Sequence, residues 1–249
     1  LTDDTYQDQN TFAGRATLEM DLADDFELVL RGDFSRERET GSLAIRTTPY
    51  PQEFTDAGAT LPADEQVIAL DTKPIADLDV WGVSATATWS GDDYTFKSIT
   101  AYRESDINQV IDVDGTDLFL FDIGFQESSK SFTQEVQLSN NDPEKFEWIV
   151  GAFFLNEDGE GGIDILFQDP QIVIPESNLT NAYALFGQGT YSFTDRLRAT
   201  VGLRYSYEKK SYNFGTLVNG TEVDSGAPNA DWGAWTPRFA IDYDINDDM

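Results

Sequence analysis

The segment YSFTDRLRATVGLRY, residues 191–205, decides the fold. After TDRL at 194–197 it changes character at every step. Leu197, Ala199, Val201, Leu203 and Tyr205 take one side, and Arg198, Thr200, Gly202 and Arg204 the other. Period two is the signature of a β-strand with two unlike faces. A stripe this apolar, in a chain of net charge -30, needs an apolar medium or a second protein layer to face.

Bulk composition narrows the choices. Aromatic residues make up 13% of the 249 positions, too many for a disordered acidic chain. Cysteine and histidine are both absent. That excludes disulfides, thiolate chemistry and Ser–His or Cys–His catalysis within this chain, and removes the commonest zinc ligand. The negative charge argues against nucleic acid as a partner. No run approaches the roughly 18 apolar residues of a spanning helix, and LTDDTYQDQN at the start is not a signal peptide. Hydropathy alone would read the chain as soluble, but a membrane β-barrel escapes that test because each strand signals weakly.

One turn recurs as ADDF at 23–26, GDDY at 91–94, TDRL at 194–197 and NDDM at 246–249, with NDPEKF at 141–146 a longer form. Between these turns lie nine strand-like runs: 11–22, 26–36, 78–89, 94–104, 131–140, 146–156, 181–193, 197–208 and 235–245. In most of them an apolar row alternates with a polar one, as in Trp81, Val83, Ala85, Ala87 and Trp89 against Ser84, Thr86 and Thr88. The runs 94–104 and 146–156 have no clean side.

Their length separates a barrel from a β-sandwich. Soluble strands average about 5–6 residues. A tilted strand of about 11 crosses a bilayer's hydrocarbon. Connections also alternate between short turns and long segments near 36–77, 105–128, 157–180 and 209–232. Aromatics collect near run ends, at Trp81, Trp89, Tyr191, Phe193, Tyr205, Tyr207 and Tyr243, as rings at a lipid–water boundary do. The expected fold is all-β: an antiparallel transmembrane barrel built as a meander of about nine to ten long strands. Its apolar stripe faces lipid, and its charge lies mostly in loops, turns and lumen. The odd count and the incomplete strand after NDDM predict that residues 1–249 are part of a larger barrel domain, unstable alone in water.

SFTQEVQLSN (131–140), FEWIVGAFFLNE (146–157), NAYALFGQGTYSFTDRLRATVGLRYSYEKK (181–210) and WTPRFAIDYDINDDM (235–249) resemble the barrel of TonB-dependent outer-membrane receptors, and SITAYRES (98–105) fits the same family. The resemblance implies a 22-stranded barrel, monomeric at full length, closed by an N-terminal plug domain. It implies uptake of a scarce nutrient, such as a ferric siderophore, cobalamin or a glycan, across a bacterial outer membrane. Energy would come from an inner-membrane TonB complex. Plug, TonB-box segment and terminal strand are not in this sequence. The rival readings are a passive porin of the same fold and a secreted acidic sandwich that binds glycans or partners.

No catalytic, cofactor or metal residue is assigned, and ligand-binding residues are expected only in a general sense, in the long loops. Asp112, Asp114 and Asp117 around Gly115 offer oxygens to a hard cation such as calcium. They lack the spacing of an EF-hand, so a solvated acidic loop is the default. Phe119, Phe121 and Phe125 alternate and are expected to extend strands above the membrane. The segment 157–180 carries Glu157, Asp158, Glu160, Asp164, Asp169 and Glu176 without a Lys or Arg. So acidic a rim disfavours an anionic chelate relative to a neutral or cationic nutrient.

Overall fold

The computed structural model describes residues 9–41, 52–60, 70–141, 143–167 and 169–245. Nearly all of them are strand: β1 (Thr11–Ala23), β2 (Phe26–Glu39), β3 (Ile75–Ser90), β4 (Tyr94–Asp112), β5 (Phe121–Asn140), β6 (Phe146–Phe167), β7 (Gln171–Ser192), β8 (Leu197–Val218), β9 (Thr221–Gly226) and β10 (Asn229–Tyr243). A five-residue helix, α1 (Gln52–Asp56), lies between β2 and β3. The strands form one open antiparallel sheet in the order β1 to β8 and then β10, with β9 added at the end of β8. The turn expected at 246–248, together with Met249 and residues 1–8, lies outside the described residues.

All nine expected runs are strands, but most continue past the expected ends. Three of the four long segments are built largely from these continuations: β4 reaches Asp112, β5 begins at Phe121, and β6, β7 and β8 each run 22 residues. Phe121 and Phe125 extend β5 as expected, whereas Phe119 lies in the connection. The last run stops at Tyr243 rather than 245. β9 is additional. Its hairpin closes through Asn219 and Gly220, at φ 51° and 77°, the left-handed pair that a two-residue Asn-Gly turn requires.

The register fixes the two faces. Following partners from strand to strand puts Leu18, Leu30, Ala85, Thr100, Gln134 and Phe154 on one face, and continues to Tyr183, Tyr207 and Gly233. This face carries most of the exposed large apolar residues, including Leu185 at 66% and Phe239 at 79%. Among the described strand residues the buried apolar side chains are Val29 and Ala184, both on the opposite face with buried Thr180 and Thr200. Enclosure on that side marks it as concave. The greasy face is therefore convex, and among the described residues no second sheet covers it. A sandwich would show the reverse.

The convex face has horizontal order. Near one end, partnered or neighbouring positions place Phe34, Trp81, Tyr102, Phe132, Phe154, Tyr183 and Tyr207 across successive strands. Near the other end stand Trp89, Phe96, Phe146 and Tyr191. Tyr183 and Tyr191 are eight residues apart on β7, about 27 Å of strand. At the usual tilt this leaves about 20 Å between the rings, close to the height of the apolar band of a membrane-crossing barrel. Polar side chains inside this belt satisfy one another, as lipid demands. Thr100 Oγ1 donates to Gln134 Oε1, and Gln134 Nε2 donates to Ser98 Oγ at 2.9 Å.

One step past the first ring the convex face becomes charged. Arg36 pairs with Asp79 at 2.8 Å, Glu104 stands opposite Lys130, Asn156 bonds Asn181 at 3.0 Å, and Lys209 stands opposite Asp231. We call this end of the sheet the upper end. Much of the negative charge thus sits outside the belt on the outer surface, besides the loops, turns and lumen where it was expected.

Candidate functional site

Below the upper ring, the concave face is polar. Arg103 Nη2 lies 2.9 Å from each oxygen of Asp33, and Arg204 places its guanidinium carbon 5.7 Å from the Phe186 ring and 5.9 Å from that of Phe153. Apolar members in this row, Ile99 and Ala101 on β4 and Ile149, Phe153 and Leu155 on β6, explain why those two runs show no clean side in the sequence.

Above the ring the rule inverts. Ile111 pairs with Ile123, Ile123 with Ile165, and Ile165 with Ile172, giving an isoleucine row across β4 to β7 on the concave face. Phe125, Ile163 and Ile174 form a second row beneath it. Phe121 and Phe167 stack at 4.7 Å. The convex partners at this height are Asp122, Gln126, Glu160 and Asp164. β-Branched and aromatic cross-strand pairs hold the strands together here without lipid. An apolar wall on the concave side of the upper sheet is the result.

The acidic segment 157–180 has to be divided accordingly. Only Glu157 and Glu176 stand on the concave face. Asp158, Glu160 and Asp164 are convex, and Asp169 lies in the connection. The bore is therefore far less acidic than the sequence of the segment suggests.

The three aspartates singled out in the sequence part company. Asp112 and Asp114 are 1% and 4% exposed, and they converge with Asp122, 2% exposed, and Asp71. One oxygen of each of the four lies within 4.8 Å of the others. Asp112 Oδ1 accepts from the Gly115 N–H at 2.9 Å, and Gly115 has φ 64°, a left-handed turn suited to glycine. Asp114 accepts from Thr116 N at 2.9 Å and from Phe121 N at 2.8 Å. Asp122 Oδ2 accepts from Thr72 Oγ1 at 2.5 Å.

Asp117 is elsewhere, accepting from Thr60 N at 2.8 Å, which holds its carboxyl below the usual range. Burial pushes Asp112 up to about 7, against the Gly115 N–H and helped by the carboxylates of Asp114, Asp122 and Asp71. Burial likewise raises Asp122 and Asp71. Neither Asp71 nor Asp122 was legible as a partner, because residues 71 and 122 meet only through the fold. The isoleucine rows were also missed, though their period-two spacing in DILF and QIVI is present in the sequence.

No curated protein matches the chain in sequence. Among solved structures it is similar to the ferric yersiniabactin uptake receptor FyuA of Yersinia pestis, with TM-score 0.72 and 14% identity over 96% of this chain and 36% of that one. It is also similar to the ferric-catecholate import receptor Fiu of E. coli K12, with TM-score 0.66 and 12% identity over 96% of this chain and 45% of that one. The chain thus spans less than half of either receptor. The model of the TonB-dependent receptor-like β-barrel family matches residues 2–249. With its lipid-type convex belt, its single meandering sheet and this match along the whole sequence, the chain belongs to the TonB-dependent receptor β-barrel family.

Proposed function

We propose that this chain is one part of the barrel wall of an active importer in a Gram-negative outer membrane. Its full-length protein takes up a ferric chelate and draws energy from the TonB complex through a plug domain encoded elsewhere in the same protein. The observation that carries the reading is the family match over residues 2–249, with the apolar belt between two aromatic rings as its physical counterpart. The two similar structures, both receptors for ferric chelates, support the substrate class.

The parity of the acidic residues supports it further. With Asp158, Glu160 and Asp164 turned outward, an anionic chelate meets isoleucine and phenylalanine at the mouth, then Arg204 deeper in. Apolar contact suits the organic shell of such a chelate, and a few placed cations its charge.

The test is iron uptake by cells carrying or lacking the full-length gene, with radiolabelled iron supplied on chelates of several classes. Uptake is expected to require the gene and to collapse when the proton-motive force is dissipated. Gene-dependent entry that persists without that force would replace the importer with a porin. Energised uptake of a nutrient without iron would keep the importer and overturn the substrate class.

A further inference from the structure

The geometry points to a calcium site formed by Asp71, Asp112, Asp114 and Asp122, which fastens the segment before β3 to the β4–β5 connection at the upper end of the sheet. Acidic clusters are common at surfaces and carry no ligand by themselves. Burial without partners sets this one apart. Asp112 Oδ2 and Asp122 Oδ1 are enclosed with no hydrogen-bond partner among the described residues, and their residues are only 1% and 2% exposed. An unmatched buried acceptor is costly, and a charged one more so.

These two residues also stand directly opposite each other in the β4–β5 register, an arrangement that repels. Among the described residues, the charges acting on both are carboxylates, with no Lys or Arg. The other oxygen of each is tied down, Asp112 Oδ1 by Gly115 N and Asp122 Oδ2 by Thr72 Oγ1, so the bare oxygens are held in place.

The donor set selects the ion. Four carboxylates without nitrogen or sulfur suit a hard cation. Calcium takes 6–8 oxygens at about 2.3–2.6 Å in irregular geometry, so oxygens on opposite sides of it lie about 4.8 Å apart. The four here fall within 4.8 Å of one another. Magnesium, which keeps most of its water and uses one or two carboxylates, fits less well. The site acts as a clasp beside a second tie between the same regions, Thr60 N to Asp117 at 2.8 Å. It does not depend on which nutrient crosses the membrane.

The experiment is calcium titration of the full-length receptor in detergent, stripped with chelator and followed by calorimetry. The Asp112→Asn/Asp122→Asn double variant is expected to bind one calcium fewer per chain, its affinity at this site down by at least about 100-fold. Asp117→Asn binds as the wild type does. If the double variant does not fold, Asp71→Asn decides. Asp71 is the one exposed residue of the four, and the loss of its charge is expected to weaken binding about tenfold. Hydrogen exchange gives a second readout, slowing over 70–74 and 112–122 when calcium binds. Equal calcium uptake by wild type and double variant overturns the proposal, as does unchanged affinity in Asp71→Asn or exchange that ignores calcium.

Discussion

The two halves of β6 obey opposite rules. From Phe146 to Phe154 the convex positions are Phe, Trp, Val, Ala and Phe. From Asn156 to Asp164 they are Asn, Asp, Glu, Gly and Asp, while Ile163 and Ile165 appear on the concave side. The same strand, without a break in hydrogen bonding, turns its convex face from apolar to polar at the aromatic ring. The medium dictates the pattern: lipid rewards apolar groups outside, and water above it leaves the interior of the mouth as the place to bury them. Side-chain alternation therefore identifies a strand in both halves, but which side is apolar reports where the membrane ends.

The comparison breaks first if the lower convex face does not touch hydrocarbon. Leu203→Arg, near mid-belt opposite Gly187, is expected to cost the full-length receptor about 2–4 kcal/mol in lipid vesicles, whereas Asn181→Arg, past the ring, costs about 0–1. Reversible denaturant unfolding measures both, and equal costs would remove the belt.

Next comes the upper concave wall. Ile163→Asp, packed between Phe125 and Ile174 in the register, is expected to destabilise the upper sheet by about 2 kcal/mol, seen as faster exchange over residues 121–127 and 157–176 with the belt untouched.

A smaller effect sharpens the picture at the tip. Gly220→Ala, at φ 77°, is expected to cost about 1 kcal/mol, confined to exchange in β9 and the end of β8. Smallest of all is Arg103→Ala. Its pair with Asp33 lies in the wet part of the bore at 51% and 30% side-chain exposure, and its removal is expected to change stability by less than about 1 kcal/mol.

These differences also explain what could be read in advance. Each strand was legible where lipid enforces one polarity, as in Trp81 to Trp89 or Leu197 to Tyr205. Residues 105–112, 157–167 and 209–218 read as loops because the expected polarity no longer matched, although the alternation continued. β9 carried its own signal in Asn219–Gly220. The acidic cluster was half legible. Asp112 and Asp114 were visible as neighbours in sequence, while Asp71 and Asp122 join only because the β4–β5 ladder and the segment before β3 converge.

The exchange of polarity along one strand also bears on how the sheet finds its alignment. Sliding a strand by a single position against its neighbour turns all its side chains over. In β6 that would drop Val150 and Phe154 into the wet channel and, in the same movement, swing Asp164 inward and Ile163 out to the surrounding water. Both ends object to the same error, so the reversal works as a proofreading device written into the chain, and only slips of an even number pass its first check.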